Sequence, residues 1–157
     1  MEEKRKKVIV DADACPRSIK EIISMLTSEY SWEMITVASI DHNIIGEHKH
    51  IIVDNESQAA DMMVMKIASK GNIVVTQDWG LAAIVMGKGV RVISPRGIIY
   101  DEKSIDFLLE ERDMKAKLRR KGGRTKGPSA WSKEDDERFE NNMKKLMCHK
   151  KEIVEED

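Results

Sequence analysis

Four aspartates stand where a chain can put carboxylates to chemical use. Asp11 and Asp13 follow directly on the apolar run Val8-Ile9-Val10 and precede Cys15-Pro16. Residues two apart in an extended segment point the same way, so both carboxylates can offer hard oxygen ligands to one divalent cation. Asp78 follows a second apolar run, Ile73-Val74-Val75-Thr76, and Asp61 lies in the helical stretch before that run. An isolated Asp-x-Asp pair also suits plain turn and helix-cap chemistry, so the elements that carry these residues must decide.

Val8 to Val10 reads as a short buried strand, and Pro16, with its fixed φ and no amide proton, suits the first position of a helix. Ile19, Ile22, Ile23 and Leu26 then form a helical stripe. Further strands are expected at Met34 to Ala38, His50 to Val53, Ile73 to Thr76 and Val90 to Ile93. Between them a helix from Gln58 to Ser69 is expected to close on Gly71 as a left-handed cap, and a short one runs from Trp79 to Met86. Ile105, Leu108 and Leu109 mark another helical stripe, broken at Gly122-Gly123. Ser132 caps a last helix with Phe139, Met143 and Leu146 on its apolar face. Alternating strands and helices predict an α/β fold: a mostly parallel five-stranded sheet with helices on both faces and a C-terminal helical extension. The division expected is a core over 1–111, with a basic loop and C-terminal helix over 112–157 packed on the same domain.

With 157 residues, 41% hydrophobic, 35% charged and a net charge of −1, the chain suits one soluble domain with no global bias toward nucleic acid. Two distant cysteines, Cys15 and Cys148, make neither a zinc pattern nor a disulfide framework, which points to a reducing compartment. No apolar run reaches the roughly 20 residues of a membrane span, so a cytoplasmic location away from membranes is expected. His42, His48 and His50 lack helical ligand spacing and read as loop and strand residues. Cys15 reads as a small buried thiol, and Trp79 as packing at a helix start.

In a doubly wound sheet the first and fourth strands are neighbours where the strand order reverses, which puts Asp11 and Asp78 on one edge, with Asp61 able to lean over it. Carboxylates so grouped repel one another unless a cation stands among them, and oxygen ligands favour magnesium or manganese. Such a site suits phosphoryl chemistry. The basic run from Arg112 to Lys126 then offers contacts to substrate phosphates, though a basic helix end also complements its own macrodipole. The candidates for phosphate binding are Lys20, Arg96, Arg119, Arg120, Arg124 and Lys126. Thr76 either supports Asp78 by a hydrogen bond or simply fills the strand.

Asp-Ala-Asp-Ala-Cys-Pro at 11–16, Ala60-Asp61, Thr76-Gln77-Asp78 with Leu81-Ala82, Arg96-Gly97 with Tyr100, and Arg124-Thr-Lys-Gly-Pro128 resemble the YaiI/YqxD family over roughly residues 7–147. That family is grouped with PIN-like domains, so the resemblance implies a compact parallel-sheet fold whose better-known members are magnesium- or manganese-dependent ribonucleases. It matches Asp11 to the first acid of a PIN site, Asp78 to the acid after the fourth strand and Asp61 to the mid-chain acid. The mid-chain acid is a glutamate in many PIN nucleases, and Asp13 is an additional acid here.

Three functions follow as expectations. The first is a magnesium- or manganese-dependent nuclease acting on single-stranded RNA or another phosphate-bearing substrate, with catalytic Asp11, Asp13, Asp61 and Asp78 and the ion on Asp11, Asp61 and Asp78. The second is an aspartyl-phosphate phosphatase of the haloacid dehalogenase type, with Asp11 as nucleophile and Asp13 as general acid. The third is a non-catalytic scaffold that binds RNA or a partner through the basic stretch.

Overall fold

Strands buried on both faces need continuous apolar runs, and the runs read from the sequence become the sheet. The computed structural model describes residues 6–39, 48–54, 58–123 and 130–148. In chain order the elements are β1 (Lys7–Asp11), a 3-10 turn at Ala12–Ala14, α1 (Arg17–Tyr30), β2 (Glu33–Ala38), β3 (Lys49–Ile52), α2 (Ala59–Ile67), β4 (Ile73–Val75), α3 (Trp79–Met86), β5 (Arg91–Ile93), α4 (Glu102–Arg120) and α5 (Lys133–Met147). The five strands are ordered β3-β2-β1-β4-β5, and every pairing among them is parallel. The strand order reverses between β1 and β4, so the expected α/β arrangement is the one observed.

Alternation along each strand divides the core in two. Val8, Val10, Ile73, Val75 and Ile93 face α1 and α5, meeting Ile19, Ile23, Leu26, Phe139 and Met143. Ile9, Ile35, Val37, Val74 and Val92 face the other way, onto Val64 of α2, Leu81 and Val85 of α3, and Ile105 of α4. Helices therefore cover both faces. Val8, Ile9 and Val10 are fully buried, as a central strand with this covering requires.

The α5 helix is tied into the body by polar contacts as well as by its apolar stripe. Asp135 accepts from the Ser132 amide at 2.9 Å and pairs with Arg96 at 3.1 Å and Arg138 at 3.0 Å. The Ser132 amide, followed by the two guanidinium groups, holds the Asp135 carboxyl below the usual range. Asn142 donates to the Gly97 carbonyl at 2.6 Å, and Arg91 donates to that of Leu146 at 2.5 Å.

Two local expectations change. The helix expected over Gln58–Ser69 spans Ala59–Ile67, because Asn72 accepts from the Ser69 amide at 2.9 Å and Ala68 has already turned to extended backbone. Gly71, at φ +90°, belongs to the turn into β4 and is not the helix cap. From Arg112 the basic run continues α4 as far as Arg120, and the break falls at Gly122, left-handed at φ +83°, where the sequence places it.

His48 and His50 pack against buried Thr36 of β2. The Thr36 hydroxyl is within hydrogen-bonding distance of His50 Nδ1 at 2.5 Å and of His48 Nε2 at 3.2 Å. One hydroxyl proton serves only one ring, so one imidazole accepts while the other donates. Among the described residues, the remaining buried nitrogens, His48 Nδ1 and His50 Nε2, have no partner. Burial, then the nearby His50 and Lys20, lowers the pKa of His48 from 6.5. The stability associated with neutral His48 is thus present above the unfolded value and lost as pH falls through the lower folded value. An NMR titration is expected to place the His48 midpoint below 6.5, and a midpoint at or above 6.5 would contradict this packing. His42 lies outside the described residues.

Candidate functional site

The carboxyl ends of β1 and β4 lie side by side because Val10 pairs with Val75. One residue further along each strand, Thr76 donates its hydroxyl to Asp11 Oδ2 at 2.9 Å and accepts from the Asp78 amide at 3.0 Å. A single fully buried threonine thereby fixes the backbone of one acid and the side chain of the other. Asp78 is the N-cap of α3, its Oδ1 accepting from the Leu81 amide at 3.1 Å. The Gln77 side chain donates to the Ala14 carbonyl at 3.1 Å and ties the two strand ends together.

Asp61, in the first turn of α2, reaches this edge and shares a hydrogen bond with the Asp78 carboxyl. Burial first, then that hydrogen bond and the charges of Asp78 and Asp11, push Asp61 up to about 6. Asp11 is raised by burial above all, with the charges of Asp13 and Asp78 adding to it and the Thr76 hydrogen bond opposing it. Asp13 stands beside this group and is held at the end of β2. Its carboxylate accepts from the Ser39 amide at 3.1 and 3.0 Å and from the Ser39 hydroxyl at 2.8 Å.

Three acids from β1, α2 and the β4–α3 junction thus form one electrostatically coupled group. Among the described residues no lysine or arginine pairs with Asp11, Asp61 or Asp78. The donor set fits a hard divalent cation, because carboxylates that raise one another's pKa gain most from a positive ion. The geometry is not that of an assembled cage, since among the described residues no three His, Cys, Asp or Glu side chains are grouped closely enough to hold an ion.

The sign of the pH dependence follows. Asp61 has a raised folded pKa, so its contribution to stability is present below 3.8 and is lost as pH rises through about 6. Asp61→Asn is expected to be more stable than wild type at pH 7, with the difference shrinking toward pH 4, as read by thermal melts across that range. A variant less stable than wild type at pH 7 would show that Asp61 is not held against its neighbours' charge.

The basic candidates are dispersed. The charge of Lys20 on α1 acts on Cys15 and His48. Arg96, after β5, pairs with Asp135 and stacks on Trp131 with its guanidinium 4.8 Å from the ring centre. Arg119 and Arg120 are exposed on the last turn of α4. Arg124 and Lys126 lie outside the described residues. Burial pushes the Cys15 thiol up to about 12, which leaves it protonated and inert.

Three supporting residues were not assigned roles from the sequence. Buried Tyr100 donates to the carbonyls of Thr76 and Gln77 at 3.3 and 3.4 Å and so pins the loop that carries Asp78. Ser39 anchors Asp13. Arg112 lies over the Trp79 ring at 5.4 Å, which puts a cation beside the residue that follows Asp78. The only signal available for Tyr100 was its place in the motif after Arg96-Gly97.

The chain matches the family described as "Uncharacterized BCR, YaiI/YqxD family" over residues 9–149. It belongs to the YaiI/YqxD family. A UPF0178 protein of Heliobacterium modesticaldum is 45% identical over 141 residues, covering 90% of this chain and 96% of the relative. A second, from Alkaliphilus metalliredigens, is 44% identical over 143 residues, covering 90% and 91%. A third, from Bacillus velezensis, is 40% identical over 152 residues, covering 95% and 89%. Among solved structures, a crystal structure of a mutant of Rae1 (YacP) from Bacillus subtilis aligns with a TM-score of 0.44 and 17% identity over 74% of this chain and 84% of that one. The YaiI/YqxD match spans β1 through α5, so the acids and the C-terminal helix fall within one family unit. Among the described residues no helix is long and apolar enough to cross a membrane.

Proposed function

We propose that this YaiI/YqxD protein is a magnesium- or manganese-dependent nuclease that hydrolyses phosphodiesters, with single-stranded RNA as its substrate class. The observation that carries the reading is the coupled group of Asp11, Asp61 and Asp78, without a cationic partner among the described residues, at the edge where the strand order reverses. Asp11, Asp61 and Asp78 would hold the ion, whose charge would relieve the repulsion that raises the Asp61 pKa. When bound, such an ion supplies the Lewis acidity that polarises a phosphodiester and eases deprotonation of water. Thr76 keeps Asp11 and the Asp78 backbone in register, and Tyr100 holds the loop. Asp13, anchored by Ser39, adds negative charge beside Asp11. Arg119 and Arg120, with Lys20, Arg96, Arg124 and Lys126, are assigned to substrate phosphates. With two free cysteines and an acid site suited to magnesium, the reading places the protein in a reducing cytoplasm.

The phosphatase alternative asks Asp13 to donate a proton. Its carboxyl instead accepts the amide and the hydroxyl of Ser39 at the end of β2 and is held there as an acceptor.

The test is incubation of purified protein with end-labelled single-stranded RNA, with manganese and with chelator. Cleavage that requires manganese is expected. Intact RNA in manganese, together with salt-dependent binding that survives neutralisation of the acids, would overturn the reading in favour of a non-catalytic RNA-binding module.

A further inference from the structure

The second apolar stripe of α4 has no partner within the described residues. Phe107, Met114 and Leu118 recur at spacings of seven and four, which puts them on one helical face, and they are 63%, 71% and 44% exposed. Ile105, Leu108 and Arg112 occupy the other side of the helix, where Ile105 is buried and Arg112 covers Trp79. One side of α4 therefore docks on the body while the opposite side presents large apolar side chains to solvent.

Charge along the helix indicates what covers that side. Its first half is net acidic, with Asp106, Glu110 and Glu111 outnumbering Lys103, and its second is net basic, with Lys115, Lys117 and, just beyond the end, Lys121 outnumbering Asp113. The Glu111–Lys115 ion pair, at 2.8 Å, sits where the sign changes. A second copy of α4 laid antiparallel sets the acidic half of each helix against the basic half of the other, whereas a parallel copy sets like charges together. The same antiparallel overlay brings Phe107 of each copy over Leu118 of the other. At 1.5 Å per residue the 19-residue helix is roughly 28 Å long, enough for a two-helix seam of that length.

We propose that α4 is a self-association surface, through which two copies of this chain pair in an antiparallel, two-fold arrangement. The pairing does not depend on the proposed catalysis, and Arg119 and Arg120 project away from the apolar stripe.

The test is analytical ultracentrifugation of the full chain, freed of nucleic acid and kept in chelator, over micromolar to submillimolar concentrations and at low and moderate salt. A concentration-dependent dimer is expected, weakened by added salt because opposite charges meet across the seam. Met114→Glu and Leu118→Glu should each raise the dimer Kd by at least about tenfold, with thermal melts unchanged at concentrations where wild type is monomeric, because both side chains are exposed in the single chain. A monomer at every concentration would overturn the proposal. A dimer that neither substitution weakens would place the interface on another face and overturn it too, and association that strengthens with salt would contradict the antiparallel arrangement.

Discussion

Asp11→Asn is expected to reduce manganese-dependent RNA cleavage by about a hundredfold or more while leaving the protein at least as stable as wild type at pH 7. The loss follows from removing one anionic ligand from a three-acid group, since the Lewis acidity asked of the ion amounts to several kcal/mol and each 1.36 kcal/mol is about tenfold in rate. The retained stability follows from the Asp11 environment. Burial above all, with the neighbouring charges of Asp13 and Asp78 and against the Thr76 hydrogen bond, raises its pKa, so the Asp11 charge is carried at a greater cost in the folded chain than in the unfolded one, and that cost grows as pH rises through the folded value. Asparagine keeps an oxygen that can accept from Thr76 and discards the charge. Cleavage assays paired with thermal melts check both halves. Full activity in Asp11→Asn would remove Asp11 from the site, and a large drop in melting temperature would show that its charge supports the fold.

The second large effect concerns α5. Phe139→Ala is expected to cost about 3–5 kcal/mol in urea unfolding, the range for deleting a fully buried aromatic side chain. Phe139 is completely buried between the sheet and α1, and it sits where the chain approaches Gly97 most closely. A Cβ built on Gly97 would lie 2.7 Å from the Phe139 amide nitrogen, so the helix backbone rests directly on the turn after β5. Domains are stable by only about 5–15 kcal/mol, which makes this one side chain a large fraction of the total. Phe107→Ala, by contrast, should stay within about 0.5 kcal/mol at concentrations where the chain is monomeric, because Phe107 is exposed in the single chain. A small loss at Phe139 would mean that α5 is a dispensable appendage and not part of the core.

These expectations show which features the sequence made legible. The strands were readable because sheets covered on both faces demand runs such as Val8-Ile9-Val10 and Ile73-Val74-Val75, and the adjacency of β1 and β4 followed from doubly wound topology. The nearness of Asp61 to Asp78 followed in the same way, from the place of a helix start relative to a strand end. Contacts set by register were harder to see. Thr36 meets His50 because those two residues are partners across β2 and β3, and no periodicity in either strand encodes that pairing. Ser39 and Asp13 are 26 residues apart and meet only because the ends of β1 and β2 align. The early end of α2 depended on Asn72 folding back on Ser69, a side-chain bond that competes with the helix. Arg96 reads in sequence as a candidate for phosphate binding after a strand, and its partners Asp135 and Trp131 come to it from far along the chain.

The central claim is that Asp11, Asp61 and Asp78 take a divalent cation between them, and crystals grown with manganese test it most directly. Anomalous difference density is expected among these three carboxylates, with Asp61 turned from its hydrogen bond with Asp78 toward the ion. Crystals soaked at high manganese that show no anomalous peak at this edge, with Asp61 still hydrogen-bonded to Asp78, would contradict the account.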